Sequence, residues 1–283
     1  NIRSQGEEIE SGEAVLKIGK RLNSADISLL ANLGISQVYV FQPLVVGVLA
    51  TGDELVAIGY ELQSLAQIYN SNTPTLKSLL SDLPITIRDY GIIPDNLEQT
   101  TIAVNEAMQD CDVLISTAGV SVGDYDFLTT VIETLGQINH YKVAMKPGKP
   151  FVFGELNKNI DKPVLYFGLP GNPLSTVVGT LQFVIPALWQ MSGASVSEQP
   201  MPLTIKAKLI SDIRKSPGRK DFQRGVLSRD ETGHYQVECF SRQQSHRVKQ
   251  LSRANCFIVL DKDSGNVAAG NDVVVQPFPW LHR

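Results

Sequence analysis

Cysteine is scarce: Cys111, Cys239 and Cys256 are the only three in 283 residues. They are far apart, odd in number and without zinc-ligand spacing, which excludes a disulfide framework. Each reads as a small core hydrophobe, and a reducing, cytoplasmic compartment fits. Apolar runs are also short. None approaches the roughly 20 residues of a membrane span, so no membrane partner is expected. An excess of one charge is missing too. The 25 Lys and Arg against 29 Asp and Glu leave a net charge of −4, with no global attraction for nucleic acid. Any anion site must therefore be built locally. The chain opens Asn1-Ile2-Arg3-Ser4, without Met or an apolar stretch. A secretory leader is not expected, and the chain reads as part of something longer. Repeats and low-complexity tracts are absent. What is present is a globular composition, 43% hydrophobic, long enough for two or three domains.

Three textures divide the chain. Residues 1–43 are short and mixed, with a helix predicted over Ser24–Leu33 and a strand over Gln37–Phe41. Residues 44–195 alternate. Strands are predicted at Leu44–Ala50, Ile85–Tyr90, Val113–Ser116 and Val164–Phe167. Helices are predicted at Thr73–Leu83, Asn96–Gln109, Phe127–Leu135 and Leu174–Met191. Apolar strands between helices imply a parallel sheet covered on both faces, with ligands outside the carboxyl ends of the strands. Residues 196–283 carry short strand candidates at Leu203–Leu209, Gly225–Leu227, Tyr235–Phe240, Cys256–Leu260 and Asp272–Gln276. These form a small all-β domain, sandwich or barrel. The fold class is thus α/β with an appended β domain and a short N-terminal region.

The punctuation marks a site. The three strands Leu44–Ala50, Val113–Ser116 and Val164–Phe167 run into loops combining Gly with polar residues. These loops hold Thr51, Gly52 and Asp53; Gly119, Ser121, Gly123 and Asp124; and Pro170, Gly171, Asn172 and Ser175. Glycine lets backbone approach a ligand, and helix N-termini offer N–H groups to anions. Lys142-Val143-Ala144-Met145-Lys146-Pro147-Gly148-Lys149-Pro150 is sharper. Three lysines on a segment stiffened by Pro and Gly suit phosphate or another oxyanion, although a charged surface loop would also read this way. Asp53, Glu54, Asp95, Asp124 and Asp126 fall at strand ends. Helix capping is one reading for each. As a set on one rim they would repel one another, and a shared Mg²⁺ would relieve that. Gly218–Gly225 is basic and begins a strand; it is either a solvated edge or a reach toward the anion site. His140, His234 and His282 lack partner spacing and read as structural or exposed, while His246, in a polar loop, stays open.

Five ordered motifs carry a resemblance over nearly the whole chain. They are Thr51–Leu55 (TGDEL), Ala118–Phe127 (AGVSVGDYDF), Lys142–Pro150 (KVAMKPGKP), Leu169–Ser175 (LPGNPLS) and Gly218–Gly225 (GRKDFQRG). In this order they resemble the molybdopterin molybdenumtransferases, MoeA-type enzymes and the matching domain of gephyrin. The resemblance implies a molybdopterin-binding domain like those of MoaB and MogA, followed by a C-terminal β domain. It implies insertion of molybdate into adenylylated molybdopterin, with release of AMP and molybdenum cofactor. Glu54, Asp95 and Asp126 match the family's functional acids and would hold Mg²⁺. Lys142 and Lys146 match functional lysines. Lys146, Lys149, Ser175, Arg224 and Ser245 fall where eukaryotic relatives hold molybdate. The residues of the Gly-bearing loops would bind the cofactor.

The same resemblance implies a homodimer at full length. It also implies working partners in the pathway's adenylyltransferase and in molybdoenzymes. Three departures stand out. Ala118 replaces the usual Gly, a small change. Gln244 replaces a frequent Gly before Ser245-His246. Much of the family's N-terminal region, which helps form the dimer and completes the partner's active site, is missing from this sequence. Two other readings are an adenylyltransferase, which shares the middle fold but lacks the β domain, and a scaffold module without chemistry.

Overall fold

The computed structural model describes residues 6–119, 127–156, 162–199, 201–241, 243–244 and 247–282. The first helix, α1 (Ser24–Asn32), begins where Asn23 accepts from the Ala25 and Asp26 N–H groups and Asp26 accepts from Asn23 N–H. This reciprocal capping box satisfies donors that a helix start leaves open. The expected strand Gln37–Phe41 does not form. The segment is exposed and pairs with no described strand.

The α/β layer follows in chain order. Its elements are β1 (Leu44–Thr51), β2 (Leu55–Val56), β3 (Ile68–Tyr69), α2 (Asn72–Leu80), β4 (Ile85–Ile93), α3 (Leu97–Asp110), β5 (Val113–Thr117), α4 (Phe127–Leu135), β6 (Gly136–Lys142), β7 (Met145–Lys146), β8 (Pro150–Leu156), β9 (Val164–Leu169), α5 (Pro173–Gly179) and α6 (Ile185–Met191). One sheet has the order β4-β1-β5-β9-β8-β6. Its first four strands are parallel, but β8 and β6 run antiparallel, so the expected all-parallel sheet is corrected to a mixed one. Strands β6 and β8 were not anticipated; in β6 polar residues interrupt the apolar pattern. β1 reads as a continuous apolar run because it is a central strand covered on both sides. On one face Val46, Val48, Ile115 and Phe167 pack against Leu76, Leu80, Leu188 and Trp189. On the other, Leu49, Leu114 and Tyr166 pack against Val104, Met108, Leu128 and Ile132.

The anticipated helix Leu174–Met191 is present but interrupted. A π-helical stretch, Thr180–Val184, separates α5 from α6. Pro173–Met191 is long and apolar enough to cross a bilayer by length and composition, yet it is mostly buried within the fold. Its Leu174, Val177 and Val178 meet Met145, Phe222, Phe257 and Phe278, so its outer side is the floor of the β domain.

That domain comprises β10 (Ile205–Leu209), β11 (Lys220–Arg229), β12 (Tyr235–Cys239), α7 (Val248–Arg253), β13 (Cys256–Leu260) and β14 (Asp272–Pro277). The order β12-β10-β14-β13-β11 closes through a β11–β12 pairing, giving a barrel without an open edge within that ring. The short candidate Gly225–Leu227 is the middle of the ten-residue β11. β7 adds to the same sheet alongside β11, although it lies between two strands of the α/β layer in sequence.

Asp112 aligns the amino ends of three parallel strands. Its carboxylate accepts from Val45 N–H at 2.9 Å and from Lys162 Nζ at 2.5 Å, and its carbonyl accepts from Leu165 N–H at 3.1 Å. Partial burial opposes its charge, but Lys162 and the Val45 N–H outweigh this and hold the carboxyl below its usual range. A lowered folded value gives stability that is present above the unfolded value and lost as pH falls through the folded one. Asp112→Asn should cost about 1–2 kcal/mol near neutrality. In chemical unfolding, the gap to wild type should close as the pH falls below the ordinary carboxylate range. A gap independent of pH would contradict this role.

Candidate functional site

Strand register draws one line across the α/β sheet. Ala50 pairs with Ile92 on one side and Thr117 on the other, and Thr117 pairs with Leu169. Gly168 then pairs with Val152, Phe151 with Tyr141, and Pro150 with Lys142. The carboxyl ends of β4, β1, β5 and β9 therefore share a rim with the connection between the antiparallel β6 and β8. That connection is the lysine segment. The strand ends that carry the Gly-bearing loops and the lysine segment come together through topology, although they lie far apart along the chain.

At the acidic end, Thr51 and Gly52 are buried while Asp53, Glu54 and Asp95 are exposed. Asp53 Oδ1 accepts from Asp95 N–H at 3.0 Å, and Asp95 Oδ2 accepts from Asp53 N–H at 3.4 Å. Neither is a helix cap. Asn96 caps α3 by accepting from Gln99 N–H, and Thr51–Glu54 leads into the short β2 rather than a helix. Glu54 folds its carboxylate back over Gly52. A Cβ at Gly52, where φ is +139°, would lie 2.5 Å from Glu54 Oε2. Among the described residues no three His, Cys, Asp or Glu side chains gather as a metal set. One or two carboxylates on an open rim suit Mg²⁺, which keeps waters and takes its other oxygens from substrate phosphates. Ser121, Gly123, Asp124 and Asp126 lie outside the described residues.

The central loops are held by short bonds. Asn172 caps α5, accepting from Leu174 N–H at 3.3 Å; Thr176 Oγ1 donates to Pro170 O at 2.8 Å; and Asn72 Nδ2 donates to Gly171 O at 2.8 Å. Ser175 is buried behind this turn. Ala118 and Gly119 follow β5 with φ of +74° and +66°. Ala118 is thus more than a small change from Gly, because its Cβ sits in a backbone region that opposes it by about 1–2 kcal/mol.

The lysine segment is more than a loop. Lys142 ends β6 and is exposed; Val143 N–H then donates to Lys149 O at 2.9 Å, closing the neck. Between them the chain crosses to the barrel, where Lys220 pairs with Met145 and Asp221 with Lys146. Lys146 Nζ lies 3.8 Å from the carboxylate of the buried Asp221, which also accepts from Gln223 Nε2 at 3.0 Å. Gly148, at φ +93°, lies close to Ser175: a Cβ there would be 4.0 Å from that of Ser175. Lys149 is exposed at this junction. The basic motif of β11 therefore reaches the rim and is not a solvated edge.

Arg224 is fully buried. Its guanidinium donates to Gln243 Oε1 at 3.3 Å, Arg247 O at 2.9 Å and Gln244 O at 3.0 Å. Burial, with the nearby Arg247 charge, lowers its affinity for the proton. Ser245, like His246, lies outside the described residues. Asp221, Gln243 and Asn72 were not anticipated. Asp221 had a signal, a carboxylate followed by Phe222 in a strand; the two amides had none.

Two family models match this architecture. One describes a probable molybdopterin binding domain over residues 47–190, the other the MoeA C-terminal region, domain IV, over residues 206–278. The molybdopterin molybdenumtransferase of Haemophilus influenzae is 41% identical over 281 residues, covering 99% of this chain and 68% of that protein. Gephyrin of Dictyostelium discoideum is 32% identical, covering 96% and 42%. The solved MoeA protein of Pyrococcus horikoshii superposes with a TM-score of 0.77 at 27% identity, covering 96% of this chain and 64% of that one. The fold and site define a molybdopterin-binding α/β layer joined to a MoeA-type barrel. The chain belongs to the molybdopterin molybdenumtransferase family. It spans about two thirds of the bacterial and archaeal relatives and less than half of the gephyrin.

Relief of the backbone strain at Ala118 can be measured directly. Ala118→Gly removes the left-handed penalty but adds the entropy of an unfolded glycine, about 0.4–1 kcal/mol. A net gain of about 0.5 kcal/mol in urea unfolding is expected. A loss would show that the residue is not strained.

Proposed function

We propose that the chain catalyses molybdenum insertion, transferring molybdate to the dithiolene of adenylylated molybdopterin and releasing AMP. The observation that carries this reading is the shared rim. Strand ends bearing glycine turns, two exposed carboxyl-bearing turns and a lysine segment stand on it, and the barrel joins it where Lys220 and Asp221 pair with Met145 and Lys146. Thr51, Gly52, Asp53, Gly119, Pro170, Gly171 and Asn172 bind the pterin ligand and its phosphates, with Ser121, Gly123 and Asp124 continuing the same loop. Lys142 and Lys146 face the phosphate side. Lys146, Lys149, Ser175, Arg224 and Ser245 frame the oxyanion. Glu54, Asp95 and Asp126 hold Mg²⁺. When bound, the cation supplies charge that polarises phosphoryl oxygens.

No activated protein nucleophile is required: the two dithiol sulfurs bond to molybdenum as one molybdate oxygen leaves with their two protons as water, and water cleaves the phosphoanhydride to free AMP. The protein positions two anions that repel one another and neutralises them with fixed ammonium and guanidinium groups, the electrostatic route by which sites of this kind act. The same reading makes the full-length protein a cytoplasmic homodimer working beside the pathway's adenylyltransferase and molybdoenzymes. The barrel's contribution of Lys220–Arg224 favours insertion over adenylylation, which a lone α/β domain performs.

Incubation with adenylylated molybdopterin, molybdate and Mg²⁺ should release AMP. Adenylylation of molybdopterin from ATP would favour the adenylyltransferase instead, and binding without either reaction a scaffold. Lys149→Ala should weaken molybdate binding about tenfold, the scale of one charge-assisted bond, and adenylylated molybdopterin binding much less. Equal loss of both ligands would refute the division between Lys142 and Lys149.

A further inference from the structure

The ladder between β11 and β12 stops where Gly225 pairs with Cys239, and the side chain of Gln243 continues it. Gln243 Oε1 accepts from Arg224 N–H at 3.0 Å, and Gln243 Nε2 donates to Arg224 O at 3.0 Å. These are the two bonds that a residue on a neighbouring strand would make. Nε2 also donates to Phe240 O at 2.9 Å and lies 3.3 Å from Cys239 Sγ, which fixes the start of the loop. Oε1 takes a second bond, from Arg224 Nε at 3.3 Å. One neutral amide thus grips both the backbone and the side chain of Arg224. With Nε tied at one end and the terminal nitrogens tied to Gln244 and Arg247 carbonyls, the guanidinium plane has little freedom to turn.

We infer that Gln243 is a positioning residue for oxyanion recognition, setting the orientation of Arg224 while leaving its charge undiminished. This rests on the reading that Arg224 attracts molybdate. A glutamate would fill the same space but would place a carboxylate against the guanidinium and cancel its field. An uncharged amide is the group that orients a cation without competing with the anion.

The experiment is a calorimetric titration of the whole chain with molybdate and, separately, with adenylylated molybdopterin, using wild type, Gln243→Glu and Gln243→Met. Gln243→Glu should lose molybdate affinity by about tenfold or more, as expected when a new charge opposes a dianion at short range. Its affinity for adenylylated molybdopterin should stay within about twofold, because the phosphate-side groups lie elsewhere on the rim. Gln243→Met removes the grip without adding charge and guards against misfolding of the charged variant. It should show a smaller loss, with reduced hydrogen-exchange protection of the Arg224 Nε–H. Molybdate affinity unchanged in both variants would overturn the inference, as would parallel loss of both ligands. Failure of wild type to bind molybdate would overturn the oxyanion reading itself.

Discussion

The pairing of Met145–Lys146 with Lys220–Asp221 is the contact on which the site depends. Without it the chain would be an α/β layer with a lysine hairpin and a separate barrel with a buried arginine. With it, the hairpin leaves its own sheet, adds to the barrel and returns to β8. Lys146 is thereby set opposite Asp221 and Gly148 against Ser175. The apolar layer of Met145, Val177, Val178, Phe222 and Phe257 beneath it makes the junction part of the core rather than a hinge. Burying this layer supplies the stability that holds several like charges at one place.

Electrostatics explains why the site is divided between layers. Exposed lysines keep their water and lend charge cheaply, whereas Arg224 is held inside the wall by carbonyls and an amide. Asp221, buried beside Lys146, tempers the cationic end and fixes one ammonium near the strand. Across the rim, Asp53 and Asp95 satisfy each other's backbone N–H groups, which orders an acidic turn at the far side. Cations thus lie at one end of the rim and carboxylates at the other.

Much of this was legible in the sequence, and the failures have physical causes. Central strands such as β1, β5 and β9 announce themselves as short apolar runs because helices cover both faces. The Gly-bearing loops mark their carboxyl ends. The antiparallel β6 and β8 did not show: Gln137, Asn139, His140 and Tyr141 give β6 an exposed, irregular pattern typical of an edge. Gln37–Phe41 has strand composition but no described neighbour to bond with, and propensity alone does not make a strand. Side-chain amides that hold backbone, Asn72 and Gln243, carry no spacing signal because their partners lie 99 and 19 positions away. The motifs located the lysines; only the register showed that they share a rim.

The central claim is that molybdate is held where the two layers meet. Anomalous diffraction at the molybdenum edge from a crystal soaked in molybdate tests it most directly. The account predicts a peak between the Lys146–Lys149 segment, Ser175 and the start of β11. A peak instead in the groove beside Lys17, Lys20 and Arg21, near Leu83 and Pro84 at the amino end of β4, would contradict it.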